Sequence, residues 1–154
     1  GALLVAVFEL GGLVGGVEPS QRTALRKIGR RVGRAFQIQD DLLDLTADDA
    51  RWGKQVGGDL TEGKKTFLLL RALEQSSGDE HDWFARIVDD GGLPAADIPE
   101  ARSRMAALGI FDEAEAAVNE YTAGAKQQLN ALAQDGQSIE TLHWLIDRMR
   151  ARMH

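Results

Sequence analysis

Proline occurs at only three of 154 positions, Pro19, Pro94 and Pro99, so the chain has few points at which a helix is forced to stop. Alternation of Val, Ile and Thr is scarce, while Leu, Ala, Glu, Arg and Gln recur at helical spacing. Together these specify an all-α chain. The pattern predicts helices over 1–16, 21–46, 61–75, 79–89, 97–108, 110–134 and 138–152, with Ser20 as the N-cap of the second. A polar, Gly-rich loop runs from Ala47 to about Leu60, and Gly91-Gly92-Leu93-Pro94 is a turn. No fixed-period repeat is present. The 76–80 loop would serve as a hinge, but composition does not change across it, so residues 1–154 read as one domain.

Charge and cysteine content exclude several functions. The chain has 18 Lys+Arg against 24 Asp+Glu, a net charge of -6, which argues against nucleic acid as a partner. Zero Cys removes disulfides, thiolate zinc and thiol catalysis. It fits a reducing compartment, and a cytoplasmic location is expected. The least charged stretch, Gly1 to Val17, contains only Glu9. It is too short and Gly-rich for a membrane span and lacks a basic leader, so no integral membrane segment is expected. The apolar helical pattern is already running at Gly1 with no cap before it, which reads as a chain whose beginning is missing or was cut. Gly11, Gly12, Gly15 and Gly16 form a flat stripe in the same helix. It suits tight helix packing with a C-cap, or the wall of a cavity.

The densest chemistry lies in Phe36-Gln37-Ile38-Gln39-Asp40-Asp41-Leu42-Leu43-Asp44-Leu45. At about 100° per residue, Gln37, Asp40, Asp41 and Asp44 share an arc of about 100°. Apolar residues flank it on both sides. A solvated face would mix charges at i, i+4, whereas this one carries like charges. Asp40 and Asp44, about 6 Å apart, repel by about 2–3 kcal/mol at an effective dielectric of about 20. Arg30, two turns earlier at a similar angle, would offset that. So would a hard cation such as Mg²⁺, which takes oxygen ligands and bridges to phosphates. A solvated acidic face is the third reading.

Lysines set among glycines follow: Trp52-Gly53-Lys54-Gln55-Val56-Gly57-Gly58-Asp59-Leu60-Thr61-Glu62-Gly63-Lys64-Lys65-Thr66. Mobile cations and open backbone N–H groups suit diphosphate oxygens, although a solvated loop has the same composition. Asp59 and Glu62 have capping-box spacing. The stretch Gly58 to Lys64 matches the start of a P-loop, but Lys65 replaces Ser/Thr, two acids enter the cradle and no strand precedes it.

At these residues the sequence resembles the trans-isoprenyl diphosphate synthases, or polyprenyl synthetases. Phe36-Gln37-Ile38-x-Asp40-Asp41-x-x-Asp44 is similar to their second aspartate-rich motif. Gly53-Lys54-x-x-Gly57-x-Asp59-Leu60-x-Glu62-Gly63-Lys64-x-Thr66 is similar to the signature after it. Two motifs in fixed order over about thirty residues are far more specific than one. Glu9-Leu10-Gly11 with Gly15-Gly16, and the helix from Gly109-Ile110 to Leu132, are also similar to family members. The family's first aspartate motif, its upstream Arg and its Lys-Thr pair have no counterpart here, so the chain resembles the C-terminal part of a single isoprenoid synthase-type helical bundle.

The resemblance implies a Mg²⁺-dependent prenyltransferase that condenses an allylic diphosphate with isopentenyl diphosphate head to tail. It implies Asp40 as a direct metal ligand and Asp44 as one acting through metal-bound water. Asp41 would hold that water network or a neighbouring lysine, and Lys54 would bind the allylic diphosphate. Gln37 would sit near the carbocation and allylic tail, and Lys64 would hold the metal–diphosphate end or pair with an aspartate. Released diphosphate would accept the proton, leaving His81, His143 and His154 as surface or packing residues. A homodimer is also implied, and this stretch alone would be inactive with half the metal cage absent. Phe67-Leu68 and the basic tail Asp147 to His154 depart from the family pattern. Two other readings remain: a non-catalytic subunit of a heteromeric synthase, and a helical interaction domain with a solvated acidic face.

Overall fold

The computed structural model describes residues 1–46, 56–133 and 139–150. Among them there is no strand. The helices are α1 Ala2–Val14, α2 Pro19–Thr46, α3 Gly58–Thr61, α4 Phe67–Gln75, α5 Asp79–Asp89, α6 Ile98–Ala107, α7 Ile110–Leu132 and α8 Glu140–Arg150, with a 3₁₀ turn at Ala95–Asp97. Two compact units result, Gly1–Gln39 with Ala116–His154, and Asp40–Glu115.

In the first unit, α2 begins before the expected Ser20. Pro19 occupies the first helical position, where its fixed φ and missing N–H cost nothing. The Glu18 carbonyl accepts from Arg22 N–H at 3.0 Å, and the Gln21 side chain accepts from Glu18 N–H at 3.0 Å. Gln21 thus supplies the reaching-back half of a capping box. The pairing of α1 with α2 rests on glycines from both helices. A Cβ on Gly12 would come within 2.5 Å of Leu25, one on Gly29 within 2.9 Å of Val5 Cα, and one on Gly33 within 3.0 Å of Gly1 Cα. The glycine stripe of α1 is therefore half of the contact, and α2 carries the other half. Phe8, Leu25, Ile28, Val32, Ala125, Leu129 and Ile146 form the core here. Gly11 and Gly12 also line an apolar cavity of about 590 Å³ with Val7, Phe8 and Leu129, so close packing and a cavity wall coexist in that stripe.

The second unit buries Leu42 and Leu45 of α2, Leu60 of α3, Leu68, Leu69 and Ala72 of α4, Phe84 and Ile87 of α5, and Ile98, Ala101 and Met105 of α6. Phe84 meets Trp83 edge to face at 5.1 Å. The Arg104 guanidinium lies 4.6 Å above Trp83 and pairs with Glu80 at 2.5 Å and Glu100 at 2.6 Å. Arg71 pairs with Glu113, tying α4 to the start of α7.

The helix expected over 61–75 begins only at Phe67, and a short helix, Gly58–Thr61, occupies the end of the stretch expected as loop. The chain stops at Thr61 and restarts at Phe67 behind a Thr66 N-cap, whose hydroxyl accepts from Leu69 N–H at 3.3 Å. Gly63 causes the break. It adopts φ +63°, and a Cβ there would sit 2.6 Å from the Gly91 carbonyl carbon. Only glycine meets both demands without strain. The Leu60 carbonyl accepts from Leu93 N–H at 2.9 Å, which closes the same junction.

Candidate functional site

The three aspartates of α2 have three different environments. Asp40 is exposed, Asp41 is 9% exposed, and Asp44 is intermediate. Their shared arc is wide enough for its edges to meet solvent and core.

Asp41 turns inward. Its Oδ2 accepts from Phe67 N–H, the first helical donor of α4, at 2.9 Å. Burial pushes this carboxyl up to about 6, because the charged form loses water. The Phe67 N–H opposes that shift, and the charges of Asp59, Asp40 and Asp44 add to it.

Asp44 does the equivalent work at α3. Its Oδ2 accepts from Asp59 N–H at 3.0 Å, and its backbone carbonyl accepts from Gly57 N–H at 2.8 Å. Burial raises the Asp44 carboxyl above the usual range, and hydrogen bonding from Asp59 N–H acts against it. Gly57, at φ +79°, is the residue at which the chain turns into α3. A Cβ there would sit 2.7 Å from Ile98 Cδ1.

The Lys64 ammonium lies 2.7 Å from Asp59 Oδ1 and 2.8 Å from Glu62 Oε2. Hydrogen bonding to Asp59, then to Glu62, holds it charged well above the lysine range. This corrects the capping-box reading. Asp59 lies inside α3 behind a Gly57 N-cap, and Asp59 and Glu62 share Lys64 instead of bonding one another's backbone. The backbone between these anchors is fixed too. Lys64 N–H donates to the Asp59 carbonyl at 2.9 Å, and the Lys64 carbonyl accepts from Thr66 N–H at 2.9 Å.

The structure therefore brings Asp41, Asp44, Asp59 and Lys64 together within the second unit. Gln37 belongs to the first unit, where it is exposed on α2, with the Gly1 nitrogen 3.5 Å from its Oε1. Lys54 lies outside the described residues. His81 is exposed, and His143 meets Asn130 at 2.7 Å. The sequence alone places Asp59 in a helix cap and in the segment that follows the aspartate motif. Its spacing of five from Lys64, across a glycine, was the available signal for this ion pair.

Among the described residues no three acidic or histidine side chains form a ready metal cage. The donors present are all carboxylate oxygens, and the like charges around Asp41 disfavour its ionisation. That set fits a hard cation which completes its shell with water and phosphate oxygens, and does not fit one that needs an all-protein cage.

A fold of packed helices carrying an aspartate-rich helix end beside a lysine-bearing loop defines the class, and comparison with known proteins gives the family. The family model for polyprenyl synthetase matches residues 1–105. The chain belongs to that family. It is 33% identical over 153 residues to a short chain isoprenyl diphosphate synthase of Methanothermobacter thermautotrophicus, covering 99% of this chain and 46% of that protein. It is also 33% identical to the geranylfarnesyl diphosphate synthase of Aeropyrum pernix, covering 99% of this chain and 47% of that one. The crystal structure of a polyprenyl synthase from Caulobacter crescentus, complexed with calcium and isoprenyl diphosphate, superposes with a TM-score of 0.82 at 32% identity, over 99% of this chain and 46% of that chain. The chain thus spans about half the length of the relatives it matches, and its fold is the isoprenoid synthase-type helical fold. Among the described residues no helix is long and apolar enough to cross a membrane.

Proposed function

We propose that the protein carrying this chain is a Mg²⁺-dependent isoprenyl diphosphate synthase that joins an allylic diphosphate to isopentenyl diphosphate, head to tail. The observation that carries this reading is the meeting of α2 carboxylates with the Lys64 segment, inside a stretch matched by the family model. Asp40 is the exposed carboxylate of the set and would bind Mg²⁺ directly. Asp44, with one oxygen engaged by Asp59 N–H, would act through metal-bound water. Lys54 and Lys64 would bind diphosphate, and Gln37 would border the allylic tail. Mg²⁺ supplies charge neutralisation of the diphosphate leaving group. The side chains hold that group in place while positive charge develops at the allylic carbon. Lys64 is already neutralised by two carboxylates, so diphosphate must compete with Glu62, its more exposed partner.

The residues of this chain supply one aspartate-rich side, so the 154-residue stretch is proposed to be inactive by itself and the longer protein to be cytoplasmic and homodimeric. Leu3, Val7, Leu10 and Val14 are exposed along α1 at spacings of four, three and four. That stripe favours burial against another helix, and light scattering of the full-length protein at dimer mass tests it. For activity, full-length protein is assayed with both diphosphates and Mg²⁺. A longer prenyl diphosphate, lost in Asp40→Ala, is expected. Absence of product together with a stable heteromeric partner would favour the non-catalytic subunit.

A further inference from the structure

Asp41 and Asp44 are one turn apart on α2, and each accepts from the backbone of the segment that carries Lys64. Asp44 takes Asp59 N–H at 3.0 Å, and Asp41 takes Phe67 N–H at 2.9 Å. Between those anchors the segment is bonded to itself, Lys64 N–H to the Asp59 carbonyl and Thr66 N–H to the Lys64 carbonyl. Two carboxylates thus pin the two ends of a nine-residue stretch, and Lys64 lies one residue past its centre. A carboxylate aimed at the first N–H of a nine-residue helix also opposes the positive end of the helix dipole.

The geometry points to Asp41 as a positioning residue that sets the place of Lys64 through Phe67 N–H, while its neighbour Asp40 faces solvent. This rests on the proposed synthase reading and assigns the second aspartate of the motif a task different from the first. What the segment needs from Asp41 is an acceptor oxygen at the α4 N-terminus, and asparagine provides one as well as aspartate does.

The test compares Asp41→Asn, Asp41→Ala, Lys64→Ala and the double variant Asp41→Ala/Lys64→Ala in the full-length protein. Amide exchange at Phe67 and steady-state kinetics are the readouts. Asp41→Asn is expected to keep Phe67 protected and to leave KM for the allylic diphosphate within about threefold of wild type. In Asp41→Ala, Phe67 N–H loses its partner, exchange accelerates about tenfold, and KM rises more than kcat falls. The double variant is no worse than Lys64→Ala, because the two act through one element. Loss of turnover in Asp41→Asn comparable to Asp40→Ala would overturn the proposal, since charge at the metal would then be what matters. Faster Phe67 exchange with unchanged KM would also overturn it, leaving a purely structural cap. If wild type gives no product and no heat with Mg²⁺ and a bisphosphonate, the synthase reading itself has failed. Phe67 exchange still reports on the cap in that case, so the two failures are distinguishable.

Discussion

Replacing Asp41 by Asn should stabilise the metal-free protein at alkaline pH and do nothing in acid. The Asp41 carboxyl titrates near 6 in the folded chain against an ordinary 3.8. Between those values the folded state binds more protons than the unfolded state, so stability falls as pH rises through that window. Above about pH 6 the full cost is present. At about 1.4 kcal/mol per pH unit, it is about 3 kcal/mol as an upper figure. Asn removes the charge and keeps the acceptor for Phe67 N–H, so a gain of about 1–3 kcal/mol is expected at pH 8. Below pH 4 wild type and variant both carry a neutral side chain, and the difference should vanish. Urea unfolding of wild-type and Asp41→Asn full-length protein at pH 4 and pH 8, at constant ionic strength without divalent cations, measures it. The other carboxylates are common to both proteins and largely cancel in the comparison. A variant less stable than wild type at pH 8 would refute the argument, because burial would then not be disfavouring the ionised form.

Other perturbations test the framework around the site. Thr66→Ala removes the α4 N-cap and should cost about 1 kcal/mol, read as a lowered urea midpoint with unchanged slope. Gly63→Ala puts a side chain at φ +63° and 2.6 Å from Gly91. It should cost at least about 2 kcal/mol and weaken diphosphate binding through displacement of Lys64. Phe84 is fully buried against Trp83, and Phe84→Ala should lower stability by about 3–5 kcal/mol. Calorimetry showing an unchanged Tm would contradict that packing.

The helices of this chain were legible because their signals are local. Gly78 before 79–89 and Gly109 before 110–132 punctuate strong apolar periods, and observed and expected boundaries there agree within about two residues. What failed was set by distant partners. The break at 62–66 depends on Gly91 and Leu93, about thirty residues downstream, and apolar periodicity through Leu60, Leu68 and Leu69 gives no hint of it. Gly29 and Gly33 look like ordinary weak helix residues until α1 lies against them. The aspartate strip was legible as an anomaly of like charges. Its division of labour was not, because nothing local says that Asp41 meets Phe67 or that Asp44 meets Asp59.

Asp40 is proposed to receive a divalent cation which also carries diphosphate. A crystal structure of the full-length protein grown with Mn²⁺ and a bisphosphonate, with anomalous data at the manganese edge, tests it directly. An anomalous peak is expected within about 2.2 Å of an Asp40 carboxylate oxygen, beside the phosphonate oxygens, with Asp41 still on Phe67 N–H. A diphosphate analogue bound without metal at Asp40, or metal held by Asp41 in its place, would contradict it.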